Sequence, residues 1–205
     1  MRLKKLLALG LSVVMAAVVA AGCGNEADKT GEQAAAKKIV VGLDDNFPPM
    51  GFKNESNEIV GFDIDLAKEA SKRLGREVEF KAIDWSSKEA ELKSGRVDIL
   101  WNGLDITEKR KENMLFSDPY MDNRQIIFVK SGYDQGIRAE ADLADKAVGT
   151  QSGSTAEAYI MGNGELLNSF KEFKTYGDYI SAFMDLDNGR LDAVVCDEIV
   201  GRYYM

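Results

Sequence analysis

The stretch "VEFKAIDWSSKEAELKSGRVDILWNGLDITEKR", residues 78–110, decides the fold class. Val78 to Ile83 alternates between apolar and polar side chains, which predicts a strand. Ser86 or Ser87 then caps a predicted helix that runs to Lys93. An apolar run follows a glycine and predicts a second strand, so the stretch has the pattern of a strand–helix–strand unit.

The same pattern extends towards the N-terminus. The apolar run of the opening stretch is Val97 to Trp101, and an earlier one, Ile39 to Leu43, suits a buried strand. Phe62 to Leu74 places apolar residues at helical spacing, with Asp63 near its start and Gly75 past its end. Successive strand–helix units predict an α/β fold with mostly parallel sheets flanked by helices.

The second half of the chain repeats this style. We predict strands at Gln125–Val129, Ala147–Thr150 and Leu191–Cys196, and helices at Ser154–Met161, Asp178–Leu186 and Glu198–Tyr204. Phe116 to Arg124 is polar and contains Pro119, which is typical of a crossover between domains. We therefore expect two lobes, residues 39–119 and 125–205, joined by a hinge crossover at 120–124.

The N-terminus has the pattern of a secretory signal. Arg2, Lys4 and Lys5 precede an uncharged run, residues 6–21, that ends in small residues, so residues 1–22 are a predicted signal peptide. The run is short for a membrane span, and an uncleaved anchor is the alternative.

Cys23 follows Ala-Ala-Gly, which resembles the lipobox of bacterial lipoproteins. This resemblance implies a lipid anchor at Cys23 on the extracytoplasmic face of the cell membrane. Residues 23–38 have few side chains that could form a core, so we predict a flexible tether. With Cys23 modified, Cys196 has no partner in the chain and no disulfide is expected.

Composition excludes several classes of function. The net charge is −8, and loss of the basic leader makes it more negative, which argues against nucleic acid and favours a cationic small partner. The chain has no histidine, so Ser-His-Asp and Cys-His catalysis are excluded and metal binding is poorly supported. Asp63-Ile-Asp65 fits a helix start better than a calcium loop. We expect neither a cofactor nor a metal.

Polar residues follow the predicted strands, where ligands bind in open α/β sheets. They are Asp44, Asp45 and Phe47, then Trp85, then Gly103 to Arg110, then Gln151 to Thr155, and Asp197. These positions predict a cleft lined by both lobes.

Two of these groups suit an anion. Arg110 offers a planar fork that matches a carboxylate, although a surface arginine on a helix from Glu108 to Met114 is the alternative. Gln151 to Thr155 places glycine and hydroxyl residues at a helix start, which presents backbone N–H groups to a carboxylate. An ordinary helix cap has the same pattern.

The acidic and aromatic residues suit the other end of a ligand. Asp105 and Asp197 can pair with an ammonium group, although a turn residue and a helix cap are the alternatives. Phe47 and Trp85 are either core residues or a cleft wall that sandwiches an apolar or guanidinium-bearing side chain.

Five segments together resemble one family: "IVVGLDDNFPPMGF", "IVGFDIDLAKE", "AIDWSSKEAELKSGRVDILWNGLDITEKRKENMLFSDPYM", "VGTQSGSTAE" and "LDAVVCDEIVGRYY". Their order resembles the polar amino-acid substrate-binding proteins of ABC importers, which have a two-lobed type II periplasmic-binding-protein fold. The resemblance extends from Ile39 to Met205. Relatives continue with a strand and helices that complete the first lobe, so we expect that lobe to be incomplete at its C-terminal return.

The resemblance also implies roles for the residues of the cleft. Arg110 would bind the ligand carboxylate and Asp197 its ammonium group. The remaining ligand-binding positions would be Gly103, Leu104, Asp105, Ser154 and Thr155 around the amino-acid head, with Gln151 beside them and Asp44, Phe47 and Trp85 at the side chain.

The implied function is capture of a polar L-amino acid and its delivery to an ABC permease and ATPase complex, by a monomer and without catalysis. Asp105 in "GLDIT" favours arginine or lysine, while glutamine and cystine stay open. An amino-acid-sensing module and an exported dehydratase-like enzyme are the alternatives.

Overall fold

The computed structural model describes residues 37–205. The predicted signal peptide, Cys23 and nearly all of the predicted tether lie outside these residues. The strands are β1 Ile39–Leu43, β2 Asn46–Phe47, β3 Gly51–Lys53, β4 Ile59–Val60, β5 Val78–Ala82, β6 Ile99–Leu100, β7 Gln125–Phe128, β8 Ala147–Gln151, β9 Glu172–Tyr176 and β10 Ala193–Asp197. The helices are α1 Phe62–Leu74, α2 Lys88–Lys93, α3 Glu108–Lys111, α4 Thr155–Gly162, α5 Gly164–Ser169, α6 Tyr179–Asp187 and α7 Glu198–Tyr203.

A three-stranded sheet, in the order β5-β1-β6, contains the unit predicted from the opening stretch. All of its pairings are parallel, which confirms the predicted arrangement. Strand β6 is shorter than predicted, because the N–H of Val97 bonds to the Glu91 carbonyl at the end of α2. Ser87 lies at the predicted N-cap position of α2, but its side chain makes no capping hydrogen bond. Asp84 instead caps the short 3-10 turn that precedes α2, where it accepts the Ser86 N–H at 2.9 Å.

A four-stranded sheet, in the order β7-β10-β8-β9, forms the second half. Strand β10 is buried along its whole length and runs parallel to β8 but antiparallel to β7. Helices α6 and α7 pack on one side through Tyr179 and Val200, and α4 and α5 pack on the other through Ile160 and Leu166. Both faces of this sheet are therefore covered.

Several elements were not predicted from the sequence. Strand β9 alternates charged residues along the edge of its sheet, so it lacks the apolar run of a buried strand. Strands β2, β3 and β4 form an antiparallel sheet of two- and three-residue strands, too short for a visible period. Helix α5 follows α4 directly and begins at a cap on Asn163.

The predicted end of α3 and the role of Asp63 at the start of α1 require correction. Helix α3 ends at Lys111 instead of Met114, and its cap is Thr107, whose hydroxyl accepts the Arg110 N–H at 3.2 Å. Helix α1 has the predicted bounds, but Asp63 does not cap it, because that carboxylate binds elsewhere in the structure. Within residues 37–205, none of the helices combines the length and the hydropathy required to cross a bilayer.

Candidate functional site

A small cavity lies where loops from the sheet β5-β1-β6 meet loops from the sheet β7-β10-β8-β9. It is lined by Phe47, Trp85, Gly103, Leu104, Asp105, Arg110, Gln151, Ser154, Thr155 and Asp197. These are all of the predicted ligand-binding residues except Asp44. The structure therefore brings together positions that lie up to 150 residues apart, roughly the whole length of the folded chain, as expected for strand ends that meet at one side of two sheets.

Arg110 is buried at 7% exposure, so the alternative of a surface arginine does not hold. Its Nη1 donates to the Asp105 carbonyl at 2.9 Å and to the Thr155 hydroxyl at 3.2 Å, and its Nη2 donates to the Gly153 carbonyl at 3.2 Å. Burial lowers the pKa of Arg110 below its usual value. The guanidinium group donates to neutral acceptors, and among residues 37–205 it has no carboxylate in a direct ion pair.

The loop before α4 forms the opposite wall. The Ser154 hydroxyl accepts the Glu157 N–H at 3.0 Å and so caps α4, while the Glu157 carboxylate accepts the Gly153 N–H at 2.7 Å. Gly153 has φ of +74°, and a Cβ at this position would lie 2.8 Å from the Ser86 Cα. Only glycine permits this close approach of the two walls.

Asp197 and Asp105 form the acidic part of the site. Asp197 is buried and accepts a hydrogen bond from Gln125 Nε2 at 2.8 Å, and both carboxylates accept from the Asn123 amide. Burial, together with the charge of Asp105, raises the pKa of Asp197 to about 6. The Asp197 side chain makes no capping bond to α7, so its alternative role as a helix cap does not hold.

Asp44 lies behind the cavity instead of lining it. Its carboxylate accepts Gln151 Nε2 at 2.6 Å, and both side chains are buried. Burial raises the pKa of Asp44 to about 6. Gln151 lines the cavity, so this hydrogen bond from Asp44 orients a cavity residue. The bond also links the first half of the chain, which contains Asp44, to the second half, which contains Gln151.

The backbone at Gly103 is held by a residue outside the cavity. Asp63 is fully buried and accepts the Gly103 N–H at 2.7 Å and the Tyr120 hydroxyl at 2.8 Å. Gly103 itself has φ of +59°, and a Cβ there would approach the ring of Phe47 to 3.0 Å. Asp63 and Phe47 together determine where this wall of the cavity lies.

Two buried amide oxygens near the acidic part have no hydrogen-bond donor among the described residues. They are Oε1 of Gln151, which lines the cavity, and Oε1 of Gln125, whose nitrogen binds Asp197. Buried acceptors without a donor are uncommon in folded proteins. A ligand that brings N–H donors would satisfy them.

A wide depression of about 720 Å³ adjoins the cavity and shares six lining residues with it: Phe47, Gly103, Leu104, Asp105, Thr155 and Asp197. Its lining includes the exposed apolar side chains of Ile99, Ile106, Leu115 and Met121. The small cavity is the candidate site, because the buried charged side chains of Arg110 and Asp197 meet there.

Four polar residues around the site were not predicted from the sequence: Asp63, Lys88, Asn123 and Gln125. Asp63 had the pattern of a helix start, and Lys88 that of a solvent-facing helix residue. Asn123 and Gln125 lie in and just after a polar crossover, where no local pattern separates a ligand-facing amide from an exposed one. Only their contacts with distant residues reveal their positions.

Residues 39–175 match the family described as bacterial extracellular solute-binding proteins, family 3. The chain is 36% identical over 169 residues to the ABC transporter arginine-binding protein 1 of Escherichia coli (strain K12), covering 82% of this chain and 66% of that protein. It is 31% identical over 161 residues to the L-cystine-binding protein TcyJ of the same strain, covering 78% of this chain and 59% of that protein.

A solved structure of an ancestral arginine-binding protein bound to arginine superposes with a TM-score of 0.77 at 42% identity, covering 82% of this chain and 73% of that one. This confirms the predicted α/β fold of the type II periplasmic-binding proteins. The chain thus spans about 59 to 73% of the length of these three proteins. With its matched residues and this fold, the chain belongs to the bacterial extracellular solute-binding proteins, family 3.

Proposed function

We propose that the protein binds a free, cationic L-amino acid between the walls of the small cavity and delivers it to an ABC importer. The cavity holds about 10 Å³ in this structure, so its walls would separate to admit the ligand. The observation that carries this proposal is that a buried guanidinium, Arg110, and a buried carboxylate, Asp197, line the same cavity. A zwitterionic amino acid has one negative group that could pair with Arg110 and one positive group that could pair with Asp197. Arg110 would bind the carboxylate as a fork, and Asp197 the ammonium group.

An excess of hydrogen-bond acceptors in the site supports a ligand with a cationic side chain. Asp105 supplies a second carboxylate beside Asp197, and the free oxygens of Gln125 and Gln151 need donors. A guanidinium group has five N–H donors in a planar arrangement. Arginine would therefore satisfy more of these groups than glutamine or cystine, and glutamate would add a negative charge where carboxylates already meet.

The mechanism we propose is capture by closure. Residues 39–119 and 125–205 would act as two lobes around a hinge at 120–124, and the ligand would stabilise the closed arrangement through contacts with both. The closed protein would then dock on a membrane permease, with a lipid on Cys23 keeping it at the extracytoplasmic face. Binding of this kind needs no covalent chemistry.

A thermal-shift screen of the twenty amino acids, with citrulline and cystine added, tests the proposal. We expect arginine to raise the melting temperature most and lysine next, since a ligand that binds only the folded state stabilises it. Calorimetry then gives the dissociation constant. A largest shift with glutamate would contradict the cationic preference, and no shift with any of these compounds would contradict amino-acid binding itself.

A further inference from the structure

Lys88 is a buried cation that the proposed mechanism does not yet use. It is the first residue of α2, its side chain is 3% exposed, and its Nζ lies 5.0 Å from the centre of the Trp85 ring. Lysine is rarely this buried without an ionic partner. Its position therefore requires an explanation.

The acceptors of Lys88 are two backbone carbonyls. Nζ donates to Gly153 at 2.7 Å and to Trp85 at 3.1 Å. The Gly153 oxygen is also an acceptor for Arg110. Two buried cations thus share one carbonyl oxygen, and within residues 37–205 neither of them forms an ion pair with a carboxylate.

The charges around Lys88 do not compensate this arrangement. Burial, together with the charge of Arg110, lowers the pKa of Lys88 to about 8. Three acidic groups raise the pKa of Lys88 but do not restore its usual value. They are Glu89 on α2, Glu157 on α4 and Asp84 before α2. Two like charges held close together out of water are costly unless an anion joins them.

We propose that Lys88 is a second cation for the ligand carboxylate, acting without touching the ligand. Arg110 lines the cavity and Lys88 does not, so Arg110 makes the direct contact while Lys88 adds positive potential and holds Trp85 and Gly153 in place. This inference rests on the proposed function and deepens it. Lys88 is a positioning residue for the acidic end of the ligand.

The pH dependence of ligand affinity follows from the effect of the ligand carboxylate on the pKa of Lys88. A carboxylate bound next to Arg110 raises the pKa of Lys88, so the bound state holds a proton that the free state has partly lost above pH 8. The affinity gained from Lys88 is then fully present below about pH 8 and is lost as the pH rises through the ligand-bound pKa. Binding at pH 8.5 should take up protons.

Calorimetry with arginine from pH 7 to 9.5, in buffers of different ionisation enthalpy, tests this. We expect Lys88→Met to weaken binding on the order of tenfold at pH 7 and to reduce proton uptake at pH 8.5. Lys88→Arg carries a charge that does not titrate in this range, so it should retain affinity and also reduce the uptake. Lys93→Met, on the exposed side of the same helix, is the matched control.

Proton uptake by both Lys88 variants equal to that of the unmodified protein, with affinity also unchanged in Lys88→Met, would overturn the role of Lys88 while leaving amino-acid binding intact. Absence of binding by the unmodified protein to any amino acid would overturn both proposals. The protonation of the ligand's own amino group is common to all variants and is removed by comparing them.

Discussion

At the scale of single residues, burial gives the charged groups of the site their properties. Arg110, Asp197 and Asp44 are each less than 8% exposed, and each has a pKa shifted towards its neutral form. Such groups bind opposite charges strongly because water competes little for them. The buried charges of single residues therefore determine which charges a ligand of this site would carry.

Arg110→Ala removes the guanidinium and should weaken arginine binding by about 3–5 kcal/mol, because the ligand carboxylate is left buried without a partner. Calorimetry measures the change. Lys109→Ala is the control, since Lys109 is the exposed neighbour of Arg110 on α3. Equal affinity of the Arg110 variant and the unmodified protein would refute the carboxylate-binding role.

Arginine binding should strengthen as the pH rises from 5 to 7. The pKa of Asp197 is about 6 in the free protein, and a bound ammonium group lowers it. Its contribution to affinity is thus fully present above pH 6 and is lost as the pH falls through the ligand-bound pKa. Asp197→Asn should bind at least about tenfold more weakly at pH 7 and lose this slope. A constant affinity of the unmodified protein over this range would disprove the assignment.

At the scale of elements, two loops are held in conformations that bring the halves of the chain together. The loop before α4 approaches the start of α2 at Gly153, and the loop after β6 is held by Asp63 of α1. Each loop depends on an element that is distant in the chain. A change in either support should alter ligand binding without removing a ligand contact.

Gly153→Ala should weaken ligand binding about tenfold or more. The alanine is strained at φ of +74°, and its Cβ would lie 2.8 Å from the Ser86 Cα, so the two walls must separate. Gly162→Ala is the matched control, because a Cβ at Gly162 meets nothing within 4 Å. Dissociation constants and melting temperatures of both variants measure the effect. A Gly153 variant that binds like the Gly162 variant would show that the close approach is not needed.

Asp63→Ala should lower the free energy of unfolding by about 1–3 kcal/mol, because the Gly103 N–H and the Tyr120 hydroxyl both lose their acceptor. It should also weaken ligand binding, since Gly103 lines the cavity. Asp65→Ala, an exposed aspartate on the same helix, should change either quantity much less. Urea denaturation measures stability, and two variants of equal stability would contradict the argument.

At the scale of the whole molecule, the net charge suits the cationic ligand that we propose. The chain has a net charge of −8, with 34 acidic residues against 26 basic ones. An acidic surface raises the local concentration of cations and lowers that of anions. This field favours arginine over glutamate even before contact with the cavity.

The association rate of arginine should fall several-fold when the ionic strength rises from about 0.01 to 0.5 M, because salt screens this field. Citrulline has the same length but an uncharged side chain, so its rate should change little. Stopped-flow tryptophan fluorescence, to which Trp85 in the cavity lining contributes, follows both reactions. Equal salt dependence of the two ligands would rule out steering by charge.

Local patterns in the sequence were enough to predict the buried elements. Strand β1 and helix α1 have the predicted bounds, because apolar spacing directly reflects which side of an element is buried. The positions after the strands, among them Arg110 and Asp197, were also predicted, since ligands in open α/β sheets bind beyond the carboxyl ends of the strands. The edge strand β9 and the short strands β2 to β4 lack such a pattern.

Only the tertiary structure decided which polar side chains act together. Asn123 joins Asp105 to Asp197, Asp63 holds Gly103, and Lys88 shares a carbonyl with Arg110. Each of these contacts links residues from separate elements, and its geometry depends on how the sheets pack. A sequence shows the side chains that an element carries, whereas the neighbours of a buried charge are determined by the other elements that pack around it.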